Sequence, residues 1–178
     1  MEVQQSIKER DSMSEKKTEA EQMVSKEEML EKIRAAIRDR ATWFALLFEE
    51  FSKVLPEKTV EEVSRRAIYR FGLLKAKKDP EPFHPKDWVI KHKEKGSADV
   101  FQSEVSYSEE WAEQRMTHCP LVDAWKELGL SEERIQLLCD IAMEGDRGRA
   151  EGHPGITMDL HETIGKGCSF CRLVIRYT

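Results

Sequence analysis

The chain has 178 residues, with 29 Lys and Arg against 34 Asp and Glu, for a net charge of −5 at neutral pH. That acidic balance argues against nucleic acid as a partner, and no run approaches the ~18 apolar residues that span a bilayer. The length suits one domain that needs no disulfides to build its core.

Residues 1–24 are mostly Glu, Lys, Gln and Ser, and Val3, Ile7 and Met13 define no face. A disordered or loosely helical leader is expected there, followed by a single domain over 25–178. The charged start lacks the apolar stretch of a secretory signal. Four cysteines without such a signal suit a reducing compartment, so the expected location is the cytoplasm.

Ser25 and Glu28 form a capping box that opens the first helix. Leu30, Ile33, Ile37, Phe44, Leu47, Phe48 and Phe51 then recur at three- and four-residue spacing up to Leu55-Pro56. So long a stripe makes a homodimer an expectation as well as a core. A second box at Thr59 and Glu62 predicts another helix, with Gly72 just past its end. Between Lys75 and Gly96, Pro80, Pro82 and Pro85 predict irregular structure tacked down by Trp88, Val89 and Ile90.

Phe101 to Tyr107 alternates with period two, and Trp111 to His118 is a second extended run, so the two predict a hairpin. Short helices follow over 121–128, closed by Gly129, and after Ser131, which suits an N-cap. Gly145 to Gly155 reads as a glycine-rich loop. The last two strands hold Ile156, Met158, Leu160, Glu162 and Ile164 on one face, then Cys171, Leu173, Ile175 and Tyr177 after a Gly165-Lys166-Gly167 turn. The fold class is therefore α+β, with N-terminal helices packed on a small antiparallel sheet made of two hairpins with helices between them.

Several catalytic motifs are absent. Neither a phosphate-binding glycine loop nor a GxSxG elbow occurs, and His161-Glu162 is followed by Gly165 where a zinc protease needs His. What remains is Cys, His and acid concentrated in the last third. Cys119 ends a strand, Cys139 lies on a helix and Cys171 faces inward on the last strand, so the three can converge. With His118 or His161 they make a Cys₃His-type zinc site, one of them alone makes a nucleophile, and with no partner they fill the core. Asp159 and His161 share a strand face with Thr157 and Thr163, which is either a solvated face or part of a site.

The string Arg115-Met116-Thr117-His118-Cys119-Pro120, then Ala124-Trp125-Lys126-Glu127-Leu128-Gly129, then Leu138-Cys139-Asp140, resembles the L-2-amino-thiazoline-4-carboxylic acid hydrolase family. Gly155-Ile156, Glu162-Thr163-Ile164 and the Gly167 to Cys171 spacing extend the likeness, while Cys168 and Leu173 depart from the family's ending. The resemblance implies a hydrolase that opens a small cyclic amidine or isothiourea by C–N bond hydrolysis, in cysteine metabolism. Such chemistry takes a base, an attacking water or thiolate, and a carboxylate that pairs with the amidinium. On that reading Cys119, Asp140, His161 and Glu162 are catalytic, and Arg115, His118 and Asp159 bind the small-molecule substrate. His118 is the alternative base and Arg172 the alternative guanidinium. Cys139 and Cys171 are the candidate zinc ligands. The pattern of helix-borne Cys, glycine-rich segment, strand and Gly-x-x-x-Cys also resembles the four-vinyl-reductase domain, a small-molecule sensor that holds zinc at positions like Cys139 and Cys171. A further sensor cysteine falls near Thr163, where this chain has no thiol.

Overall fold

The computed structural model describes residues 24–178, so the expected leader lies, up to residue 23, outside the described residues. The described residues fall into two units, the first ending at Lys32 and the second spanning Ile33–Thr178. In the first, the Glu28 N–H donates to Ser25 Oγ at 3.1 Å, which is the expected helix cap. Lys32 pairs with Glu28 at 2.8 Å, one turn away. The helix begun there, α1, spans Lys26–Val54.

The second unit continues with α2 (Glu57–Ala76), α3 (Pro85–Glu94), a single turn α4 (Ser97–Val100), β1 (Ser103–Tyr107) and β2 (Trp111–Met116). There follow α5 (Pro120–Glu127), α6 (Glu132–Ala142), α7 (Glu144–Glu151), β3 (Ile156–Glu162), a 3₁₀ turn (Ile164–Lys166) and β4 (Cys171–Tyr177). The four strands form one antiparallel sheet in the order β1-β2-β4-β3, two hairpins joined through β2 and β4. This is the α+β architecture that the sequence pattern predicts.

Four local expectations change. The second helix starts at Glu57 and not after Thr59, because Pro56 fixes the entry geometry and its carbonyl already accepts the Thr59 N–H at 2.8 Å. It also runs through Gly72 to Ala76. The proline-rich segment contains α3, with Pro85 at the first helical position, where its missing N–H leaves no bond unmade. The His84 N–H is satisfied there by Asp87 Oδ2 at 2.8 Å. The glycine-rich loop is largely α7, whose Gly145 and Gly148 are buried.

The fourth change concerns β3. Leu160 pairs with Leu173 and Glu162 with Arg172, so His161 is an extra residue in a bulge. Glu162 thereby joins the face that carries Arg172, and no longer shares one with Met158 and Leu160. The last strand begins at Cys171, after the 3₁₀ turn.

Two cores hold the second unit. Ala41, Ala45 and Phe48 of α1 pack with Val60, Val122, Trp125, Ile135, Leu138 and Ile141. The Trp125 Nε1–H is satisfied by the Ala41 carbonyl at 3.0 Å, so the indole is buried without an orphaned donor. Phe83, Trp88, Val89 and Ala150 instead cover the inner sheet face at Ala112, Ile156, Leu173 and Ile175. At roughly 25 cal/mol per Å² of apolar area removed from water, these side chains supply the main folding drive. Among the described residues, no helix is long and apolar enough to cross a membrane.

Candidate functional site

The residues singled out from the sequence fall in three places. Cys119, Cys139 and Cys171 meet where α6 packs against the 3₁₀ turn and the start of β4. Their thiols lie close enough that charge on Cys171 and Cys139 acts on Cys119, and charge on Cys139 acts on Cys171. Cys171 Sγ accepts the Ile164 N–H at 3.3 Å. Gly165 is pressed onto Cys139, where an added Cβ would lie 2.5 Å from both its Cβ and its Sγ. The expected convergence is therefore present.

Its chemistry is that of protonated thiols. Burial pushes Cys119 up to about 12, although the N–H groups of Val122 and Leu121 at the start of α5 act the other way. Burial likewise raises Cys171 to about 11 and raises Cys139 against hydrogen bonds at Thr163 and Gly165. Such thiols are poor nucleophiles at neutral pH. Among the described residues, no group of three or more His, Cys, Asp and Glu is arranged to hold a metal ion. Cys139 and Cys171 are both buried in this junction.

His118 lies beside this cluster, between β2 and α5. Its Nδ1 is 3.5 Å from Asp123 Oδ2, and its Nε2 is buried with no hydrogen-bond partner. An imidazole with a carboxylate near one nitrogen and no partner at the other is chemically able to exchange a proton there. Arg115 stands at the same end of the sheet, its guanidinium 4.1 Å from the centre of the Phe170 ring. Since Met116 pairs with Cys171, residues Arg115, His118, Cys119, Phe170 and Cys171 gather at one end of the β2–β4 pair.

Of the other candidates, Asp159, His161 and Asp140 lie apart from that end, while Glu162 sits at it on the outer sheet face, since Arg172 pairs with both Glu162 and Arg115. Asp159 is on the outer sheet face, paired with Arg176, and His161 is 3.9 Å from it and 84% exposed. Glu162 faces Arg172, whose guanidinium is held by Glu113 at 2.7 Å. Asp140 follows Cys139 but turns its carboxylate to Arg147 at 2.6 Å and Arg65 at 2.7 Å. Burial would raise it, and those two guanidiniums outweigh burial and hold it below the usual carboxylate range. A carboxylate so engaged is a strut between α2, α6 and α7.

Two further polar clusters have no counterpart in the sequence reading. Asp79, just after α2, takes two hydrogen bonds from Arg149 at 2.7 and 2.9 Å, one from Lys91 at 3.0 Å, and a contact from His153 Nε2 at 3.1 Å. Burial would raise its carboxyl, yet these donors outweigh it and hold the group at about 2. The His153 ring stacks on Phe83 with centroids 3.8 Å apart. Under α3, His92 Nε2 lies 2.7 Å from Gln114 Nε2 and 3.2 Å from Ser103 Oγ. Burial, aided by the charge of Arg149, lowers His92 to about 4 and keeps it neutral. The signal for the first cluster was the spacing of Gly145, Gly148 and Gly152, one face of a helix that aims Arg149 at α2.

A family model described as L-2-amino-thiazoline-4-carboxylic acid hydrolase matches residues 15–175. No curated protein matches the chain at a significant level. Among solved structures, the trafficking protein particle complex subunit 3 from Naegleria fowleri, covalently bound to palmitic acid, is similar with a TM-score of 0.50 and 10% identity. That match covers 78% of this chain and 95% of that one. The phenol-responsive sensory domain of the transcription activator PoxR, with phenol, is similar with a TM-score of 0.50 and 14% identity, over 77% and 74% of the two chains. At these identities the likeness is one of fold.

Proposed function

The chain belongs to the L-2-amino-thiazoline-4-carboxylic acid hydrolase family, and from that premise we propose that it hydrolyses a small cyclic amidine or isothiourea at its amidine carbon. The observation that carries this reading is the buried, unpartnered Nε2 of His118 with Asp123 at its other nitrogen. His118 is preferred as base over His161, which is 84% exposed.

In this reading His118 Nε2 takes a proton from water as the water oxygen bonds to the amidine carbon. The resulting tetrahedral carbon collapses by expelling a ring atom, which receives that proton from His118. Expulsion of ring nitrogen breaks the C–N bond; in an isothiourea, expulsion of ring sulfur leaves an N-carbamoyl thiol. Arg115 holds the substrate carboxylate through paired N–H donors, and the protonated, half-buried Cys119 thiol next to His118 offers a soft, weakly polar wall to the heterocycle. Cys119 thus bounds the site instead of attacking within it.

The test is turnover of L-2-amino-thiazoline-4-carboxylate and a panel of cyclic amidines by the full chain, read as ring opening and as released thiol. His118→Gln is expected to lower kcat about 100-fold or more with the fold intact. Arg115→Ala should act mainly through KM. Likeness in fold to a phenol-responsive sensory domain supports a second reading, binding without turnover. Saturable binding of a heterocycle with no ring opening would establish that instead.

A further inference from the structure

The inner side of α1 is spent on the core, where Ala41, Ala45 and Phe48 are buried. Its outer side is not polar. Trp43 is 68% exposed, Phe51 51% and Val54 76%, and Leu46 and Leu47 are exposed beside them. Spacings of three and four residues put this set on one face of the helix, a contiguous apolar stripe of the kind that marks a protein contact.

The charges on that face have an order. Arg40 precedes Trp43 and Glu50 follows Leu47, both exposed. Arg40 and Glu50 stand equally far from Ala45 on its two sides, and so do Trp43 and Leu47, and Ala36 and Val54. Glu50 pairs with the exposed Lys53 on its own helix, at 2.5 Å, a surface pair of little strength.

We propose that the outer face of α1 is the interface of a homodimer in which two copies of this chain lie antiparallel about a two-fold axis that crosses the outer face at the level of Ala45. In that arrangement positions equidistant from Ala45 oppose each other. Trp43 then packs on the second copy's Leu47, and Arg40 meets the second copy's Glu50, twice by symmetry. A parallel pairing sets Arg40 on Arg40 and Glu50 on Glu50, like charge on like, and is selected against. The stripe is thus complementary to itself in one orientation.

Sedimentation of the full chain over a range of concentrations tests this. The wild type is expected as a dimer, and Trp43→Glu as a monomer with an unchanged circular dichroism spectrum. Arg40→Glu and Glu50→Arg should each weaken dimerisation about tenfold. The double variant Arg40→Glu/Glu50→Arg, which restores opposite charges across the axis, should return the dissociation constant to near the wild-type value. A wild type that stays monomeric, including one that binds lipid vesicles through this face, overturns the proposal. A dimer indifferent to Trp43→Glu, or a double variant weaker than either single one, does so as well.

Discussion

Gly72 of α2 and Gly145 of α7 meet backbone to backbone. A Cβ at Gly72 would lie 2.7 Å from Arg149 N and closer still to the Gly145 carbonyl oxygen. Gly148 meets the Tyr69 carbonyl in the same way, and Gly152 meets Ala76. Small residues let the two helices approach until their backbones are in contact, and the approach brings Arg149 onto Asp79.

Gly72→Ala is therefore expected to destabilise the protein, although alanine is the better helix former by about 1 kcal/mol. The colliding atoms are backbone, so α7 must move as a body. Overpacking of this kind costs about 1–3 kcal/mol. For a protein of this size the melting temperature should fall by roughly 2–4 °C per kcal/mol. A thermal melt no lower than the wild type's would show that the helices separate freely.

The same glycines explain what the sequence left illegible. Both hairpins, the Ser25 and Ser131 caps and the meeting of Cys119, Cys139 and Cys171 follow from local periodicity, because each strand or cap announces its own faces. Gly145, Gly148 and Gly152 have poor helix propensity, and only packing against α2 makes their stripe a helix. Asp79 sits among Lys77, Lys78 and Pro80 like a solvated loop acid, and its partner Arg149 is 70 residues away. The bulge at His161 is similarly silent: one added residue moved Glu162 to the outer face without altering the alternation before it. What failed to be read was long-range pairing between polar groups.

His92 and Asp79 both make stability fall as pH drops, over different windows. His92 takes a proton near 6.5 when unfolded but only at about 4 when folded. Below 6.5 the unfolded chain binds the extra proton, so stability falls as pH drops from 6.5 towards 4, by on the order of 3 kcal/mol. Asp79, held at about 2 against an ordinary 3.8, adds on the order of 2 kcal/mol that is complete above 3.8 and lost as pH falls through about 2. Urea unfolding at a series of pH values should show both slopes. His92→Gln should flatten the upper one, and Asp79→Asn the lower. Asp79→Asn should also cost about 3–5 kcal/mol at neutral pH, because Arg149 is left without its carboxylate.

The thiols make the sharpest distinction between a cysteine enzyme and the His118 reading. Cys139 and Cys171 are buried, and burial raises Cys119 to about 12 and Cys171 to about 11, so at pH 8 each is almost wholly the unreactive thiol. Cys168, like Cys119, is half-buried, and it follows the 3₁₀ turn without lying at the meeting of Cys119 with Cys139. Treatment of the native protein with a thiol reagent at pH 8 should therefore label one cysteine quickly, and Cys168→Ser should abolish that fast phase. The other three should react only on unfolding. Labelling of Cys168 should leave turnover intact, since this thiol has no part in the site at Arg115 and His118. Rapid labelling of Cys119 that also ends turnover would reverse the assignment, making the thiol the attacking group and His118 the base that activates it.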